Sequence, residues 1–106
     1  PSHVTQICQG AFFLCHKLSK VKIASDSKLQ VIENDAFCFT SICDFYIPRH
    51  VKNIGDGAFT NCGMLQIIEI DVNSELDFFG INMVCNSPIV IIMAPSNLKD
   101  IMDIFS

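Results

Sequence analysis

Ala-Phe pairs recur along the chain at nearly regular intervals. The pairs are Ala11-Phe12, Ala36-Phe37 and Ala58-Phe59. Each pair is followed by a short run rich in apolar residues: Leu18–Ile23, Ile42–Ile47 and Leu65–Ile70. Alternating apolar and polar positions are typical of a half-buried strand. A fixed period of about 23 residues with one short strand per repeat is typical of a solenoid.

One more period places a fourth strand within Pro88–Met93, with a convex-side partner at Leu76–Phe79. Identical connectivity in every repeat makes the sheet parallel, with strands about 4.8 Å apart. Equivalent side chains should then form internal ladders, because a single repeat cannot bury its apolar residues alone. The predicted ladders are Phe12, Phe37 and Phe59; Val21, Phe45 and Ile68; and Ile23, Ile47 and Ile70. The sequence predicts a horseshoe-like solenoid with about four short parallel strands, and with short strands and turns on its convex side.

The last residues follow a different pattern. Leu98, Ile101, Met102 and Phe105 have the spacing of one helix face, and Pro95 with Ser96 and Asn97 supplies start signals. We expect a capping helix over residues 94–106, since terminal repeats need a cap; a partner-binding helix is the alternative. The expected domain is a single one, residues 1–106, with repeats at about 1–24, 25–47, 48–70 and 71–93.

Composition narrows the functional classes. Half of the 106 residues are apolar and 17% are charged, which indicates a folded domain. The seven Lys and Arg residues are scattered and the net charge is −4, so we expect no nucleic-acid partner. No apolar stretch approaches the roughly 20 residues that a membrane-spanning helix needs. The chain opens on "PSHV" without Met, and we expect it to be part of a longer array that begins within a repeat.

The stretch "IPRHVKNIGDGAFTNCGMLQIIEI" (Ile47–Ile70) resembles the BspA-like leucine-rich repeat. The resemblance covers about residues 1–93. Repeat two departs from the pattern by one residue fewer between Phe37 and Ile42, and repeat four lacks the Ala-Phe pair. The resemblance implies an α/β-type leucine-rich-repeat solenoid at the cell surface or secreted, with a role in adhesion and binding and without catalysis.

The cysteines have a structural interpretation. Cys15 and Cys62 are equivalent positions two repeats apart, roughly 9–10 Å, whereas a disulfide needs Cα atoms within about 7 Å. Thr40 lies between them, so we expect a compact buried residue at this position. A bond between Cys15 and Cys38, on adjacent repeats, stays possible. No Cys-x-x-Cys is present, and we assign neither catalytic nor metal-binding residues nor a cofactor.

Two glycine or acidic stretches are interpreted as turns. The sequence "GDG" at Gly55–Gly57 lacks the spacing of a phosphate loop, so its glycines are expected to adopt positive φ in a tight turn. The stretch Asp71–Asp77 lacks the Gly and terminal Glu of an EF-hand, so a solvated loop is favoured over a calcium site.

The remaining candidate is the outer face of the strands, where side chains alternate between the core and solvent. The outward residues form two predicted columns: Lys22, Tyr46 and Glu69; and Lys20, Asp44 and Ile67. Such a mixture suits a protein-binding patch, and a solvated face with cross-strand charge pairs is the alternative.

We therefore expect a non-enzymatic repeat module for protein–protein or cell-surface and matrix binding. A purely structural C-terminal segment of a longer solenoid and an intracellular interaction scaffold are the alternatives.

Overall fold

The computed structural model describes residues 3–24, 26–80, 84–88 and 91–93. This part of the chain contains seven short strands and no helix. The strands are β1 (Gln6–Ile7), β2 (Val31–Ile32), β3 (Asp44–Ile47), β4 (Asn53–Ile54), β5 (Ile67–Ile70), β6 (Phe78–Phe79) and β7 (Ile91–Met93).

The strands form two parallel sheets that run along the repeat axis. One sheet has the order β1-β2-β4-β6 and the other β3-β5-β7. Gln6 pairs with Val31, Val31 with Asn53 and Asn53 with Phe78, so the first three strands of this sheet recur at the same spacing as the Ala-Phe pairs. This register confirms the predicted solenoid. We call each of its turns a rung.

The phenylalanines of the Ala-Phe pairs form the predicted ladder. Phe37 stacks on Phe12 with ring centroids 5.2 Å apart and on Phe59 at 5.4 Å, both nearly parallel. Phe45 tilts against both inner rings, at 5.1 Å from Phe37 and 4.9 Å from Phe59. Isoleucines at the ends of the strands complete the core between the two sheets. Stacking of the rungs buries apolar side chains that a single repeat would leave exposed.

Backbone hydrogen bonds between rungs hold the turn at each Ala-Phe pair. The N–H of Phe12 donates to the carbonyl of Ala36, and the N–H of Phe37 to that of Ala58, both at 2.8 Å. Two positions of this turn adopt positive φ in rung after rung. The first is occupied by Gly10, Asp35 and Gly57, and the second by Leu14, Phe39, Asn61 and Asn86. The turn therefore fixes backbone conformation even where the residue type varies.

The two glycines of the "GDG" stretch serve different purposes. Gly57 has a φ of +65°, which confirms the prediction of a positive-φ turn. Gly55 lies outside that region; a Cβ there would lie 2.5 Å from the backbone N of Asn34. The prediction was wrong for Gly55, which allows two rungs to approach closely.

The cysteine position after each Ala-Phe pair forms a hydrogen-bonded ladder. The Cys62 thiol is fully buried and donates to the Phe37 carbonyl at 3.1 Å. In the next rung, Ser87 Oγ donates to the Phe59 carbonyl at 2.6 Å. Thr40 is buried in contact with Cys62, as expected. Cys15 is exposed, because the first rung has a described neighbour on one side only.

The structure corrects the first predicted strand. Residues Leu18–Ile23 form no strand, and Val21 and Ile23 only partly bury against the core. Its backbone joins the next rung through the Ser41 N–H, which donates to the Leu18 carbonyl at 2.9 Å, and not through a strand ladder with β3.

The fourth predicted strand is present as β7, and its register follows the repeat period. Ile67 pairs with Ile91 and Glu69 with Met93, an offset of 24 residues. Val84 packs against the core where the fourth phenylalanine is missing. The predicted capping helix over residues 94–106 lies outside the described residues.

Candidate protein-binding face

The three-stranded sheet presents alternating side chains to solvent. In β3, Phe45 and Ile47 are buried while Asp44 is exposed and Tyr46 half-buried. In β5, Ile68 and Ile70 are buried while Glu69 is exposed and Ile67 half-buried. Alternation along a strand produces this pattern because successive side chains point to opposite faces.

The sheet register brings four of the six sequence-predicted site residues together. Asp44 pairs with Ile67, and Tyr46 pairs with Glu69. Lys20 and Lys22 lie in the irregular first-rung segment, so no strand register places them beside Asp44 and Tyr46. The candidate face in the sheet therefore consists of Asp44, Tyr46, Ile67 and Glu69, with the two lysines in the adjacent rung.

A carboxylate that the sequence patterns did not assign to the face anchors Tyr46. The Tyr46 hydroxyl donates to Asp71, which follows the end of β5. The Asp71 carboxylate also accepts the Asn73 N–H at 2.8 Å. These bonds close the loop that was predicted to be a solvated turn, and they hold the phenol ring in one orientation.

The hydrogen bond between Tyr46 and Asp71 shifts the pKa values of both groups. The Asp71 acceptor raises the pKa of Tyr46 from its ordinary value of 10 to about 12, with a smaller contribution from burial. The hydrogen bonds from Tyr46 and from the Asn73 N–H lower the pKa of Asp71. The ionised Asp71 carboxylate favours the protonated phenol, and the phenol O–H favours the ionised carboxylate.

A second polar cluster borders the same end of the sheet. His50 Nδ1 lies 3.0 Å from a Glu75 carboxylate oxygen, and Arg49 Nη2 lies 3.3 Å from His50 Nε2. The Glu75 N–H donates to the Arg49 carbonyl at 2.9 Å, which ties the two loops together. Arg49 and His50 follow the end of β3, and Glu75 follows the end of β5. This shared position in the repeat is the sequence signal that would have found them.

Tyr46 is the single tyrosine of a chain without tryptophan, so ultraviolet absorbance of the phenolate reports on it alone. We expect its titration midpoint in the folded protein near pH 12. The folded pKa lies above the unfolded value, so this bond stabilises the fold fully below about pH 10 and its contribution is lost as pH rises through 12.

The Asp71→Ala variant should return the midpoint towards that of an ordinary phenol. Asp77→Ala removes an exposed carboxylate that does not bond to Tyr46 and serves as the control. A wild-type midpoint at the ordinary value would contradict the hydrogen bond.

The described residues contain neither a disulfide nor a cluster placed for metal binding. All six cysteines are free thiols. Within the described part of the chain, no group of three or more His, Cys, Asp or Glu residues is placed to hold a metal ion. The described residues also contain no helix long and apolar enough to cross a membrane.

Comparison with known proteins identifies the family of the chain. The family described as "BspA type Leucine rich repeat region (6 copies)" matches residues 1–105. No curated protein and no solved structure matches the chain. The match spans nearly the whole chain and agrees with the parallel rungs, and membership indicates a protein-interaction module. The chain belongs to the BspA-type leucine-rich-repeat family.

Proposed function

We propose that the chain is a non-enzymatic binding module of a cell-surface or secreted, adhesion-type protein, and that its ligand is a protein or a matrix component. The binding face is the outer side of the three-stranded sheet with the adjacent first rung. Its residues are Lys20, Lys22, Asp44, Tyr46, Ile67 and Glu69.

The observation that carries this proposal is the anchored tyrosine. Tyr46 lies in the outward row of β3, and its hydroxyl is held by Asp71. An aromatic side chain that is already ordered loses little conformational freedom on binding, and tyrosines are enriched at interface hot spots.

The surroundings of Tyr46 support the same conclusion. Ile67 adds a half-buried aliphatic surface, while Asp44 and Glu69 place carboxylates beside it. Apolar anchors rimmed by charges are typical of protein interfaces.

The proposal is tested on an array of purified matrix and cell-surface proteins, with binding measured by surface plasmon resonance. For a ligand that binds, Tyr46→Ala should weaken affinity about tenfold or more, equivalent to about 1.4 kcal/mol. Lys22→Glu should weaken it as well. Lys52→Glu changes a lysine next to β4 in the other sheet and should leave affinity unchanged. If neither Tyr46→Ala nor Lys22→Glu changes binding, the proposed face is wrong.

A further inference from the structure

The four-stranded sheet also carries a row of side chains outside the core. The equivalent outward positions of β1, β2, β4 and β6 are Gln6, Val31, Asn53 and Phe78. The residue after each of them points inward, and Ile32, for example, is fully buried. Side chains of the outward row point away from the sheet, so a further rung at either end would lengthen the row without covering it.

A groove of about 190 Å³ lies on this row. The backbone of Ile32, Ile54 and Gly55 forms its floor, because both isoleucine side chains are buried in the core. The side chains around it are Gln9, Val31, Glu33, Asn34, Asn53 and Phe78. Pockets for drug-sized molecules measure roughly 300–1,000 Å³, so this groove suits one ring-sized unit of a larger ligand.

Phe78 gives the groove an aromatic wall. Its side chain is 55% exposed, and the half-buried Val31 adds a second apolar contact two strands away. The face of an exposed aromatic ring binds flat apolar surfaces, including the C–H face of a ring-shaped ligand. The groove therefore offers a platform for stacking beside its polar groups.

Amide side chains supply most of those polar groups. Asn34 Oδ1 accepts the Asp56 N–H at 2.8 Å, which orients the amide and leaves its NH₂ group to donate. Within the described part of the chain, the side-chain amides of Gln9 and Asn53 form no hydrogen bond. An amide both donates and accepts hydrogen bonds, as a hydroxyl group does. Neighbouring amides therefore match the neighbouring hydroxyl groups of a sugar.

The charge of the groove excludes anionic ligands. Glu33 is the one charged side chain among the described residues that line it, and Gln6 donates to the Glu33 carboxylate. A carboxylate repels phosphate and sulfate groups. The groove is therefore suited to a neutral ligand rather than to a nucleic acid or a sulfated glycan.

A peptide strand matches this face less well. Extended peptides bind by adding a strand to an open sheet edge. In this sheet β2 and β4, which carry Val31 and Asn53, each have a hydrogen-bonded strand on both sides. A helical peptide would need a continuous apolar groove, whereas amides separate the apolar side chains here.

We propose that this groove binds a neutral carbohydrate. A sugar ring places its C–H face on Phe78, and its hydroxyl groups exchange hydrogen bonds with the amides of Asn34 and Asn53. The site lies on a different sheet from the proposed protein-binding face, so the two ligands do not compete.

The test is ¹H–¹⁵N correlation NMR of the labelled chain, titrated with neutral tetrasaccharides of glucose, mannose, galactose and N-acetylglucosamine. A heparin tetrasaccharide serves as the anionic probe. At least one neutral tetrasaccharide should bind with a Kd near or below about 1 mM, a typical range for a shallow site. Its binding should shift the amide resonances of β2 and β4, and the heparin tetrasaccharide should not bind.

Two variants test the assigned contacts. Phe78→Ala should weaken binding of that tetrasaccharide about tenfold, because it removes the stacking surface. Asn53→Ala should weaken it about fivefold through the loss of hydrogen bonds. Both side chains are exposed, so neither variant should lower the thermal midpoint by more than a few degrees.

Matched controls come from elsewhere on the surface. Met64→Ala truncates an apolar side chain that is 57% exposed, and Gln66→Ala removes an exposed amide just before β5 in the other sheet. Neither should change carbohydrate binding. Tyr46→Ala should leave it unchanged as well, so failure of the protein-binding face and failure of this groove are distinguishable.

The proposal is overturned if none of the neutral tetrasaccharides binds, if the heparin tetrasaccharide binds at least as tightly, or if Phe78→Ala and Asn53→Ala both bind like the wild type. It is overturned too if a protein whose glycans have been removed enzymatically binds the chain in a Phe78-dependent way. The groove would then be a protein contact.

Discussion

Replacing Phe37 with alanine should remove about 3–5 kcal/mol from the free energy of unfolding. Phe37 is fully buried and stacks on a ring from the rung before it and on another from the rung after it. Truncation leaves a cavity in the middle of the ladder that neither neighbour can fill without breaking its own rung. Domains of this size are stable by only about 5–15 kcal/mol, so we expect a large loss.

The measurement is urea unfolding followed by circular dichroism, compared with Phe78→Ala. Phe78 has the same side chain in a strand of the same solenoid, yet it is 55% exposed. Its truncation should cost less than about 1 kcal/mol. Similar losses for the two variants would contradict the internal ladder as the main source of stability.

Replacing Gly55 with alanine should destabilise the fold by about 3 kcal/mol, near the upper end for overpacking. The added Cβ would lie 2.5 Å from the Asn34 backbone N and 2.7 Å from the Glu33 carbonyl carbon. Both obstacles are backbone of the preceding rung, so the clash is relieved only by separating two rungs. Separation would also stretch the bond from the Asp56 N–H to Asn34 Oδ1, now 2.8 Å.

Gly63→Ala is the matched control. A Cβ at Gly63 meets no atom within 4 Å, and its φ is not in the left-handed region. The free energy of unfolding of this variant, measured by thermal denaturation, should match that of the wild type within about 0.5 kcal/mol. If Gly55→Ala is tolerated equally well, close approach of the rungs at this glycine is not required for stability.

Most of the repeat architecture was predictable from residue spacing. The three Ala-Phe pairs are separated by the same two intervals that offset β1 from β2 and β2 from β4. Repetition supports this inference because equivalent residues in a solenoid must contact each other to be buried. The burial of Cys62 was predictable for the same reason, since its position alternates with Thr40 along one ladder.

The candidate site was less predictable. Alternation within each run gave the outward positions of Asp44, Tyr46, Ile67 and Glu69 correctly. The partner of Tyr46 was not found, because Asp71 follows the strand of the neighbouring rung and meets the phenol only after the two rungs stack. The strand predicted at Leu18–Ile23 was wrong: its apolar pattern matches those of β3 and β5, but in the described residues its backbone forms no ladder with β3.

The sequence by itself determined the repeat, the phenylalanine ladder and the alternation of the strands, because each depends on residue type at a fixed period. Only the tertiary structure decided which rungs are complete, which glycine permits close approach and which turn residues are strained. Those properties depend on what lies across the neighbouring rung. Phe39 and Asn61 occupy equivalent left-handed positions of neighbouring rungs, and Phe39 remains 38% exposed there, so its ring adds surface rather than core.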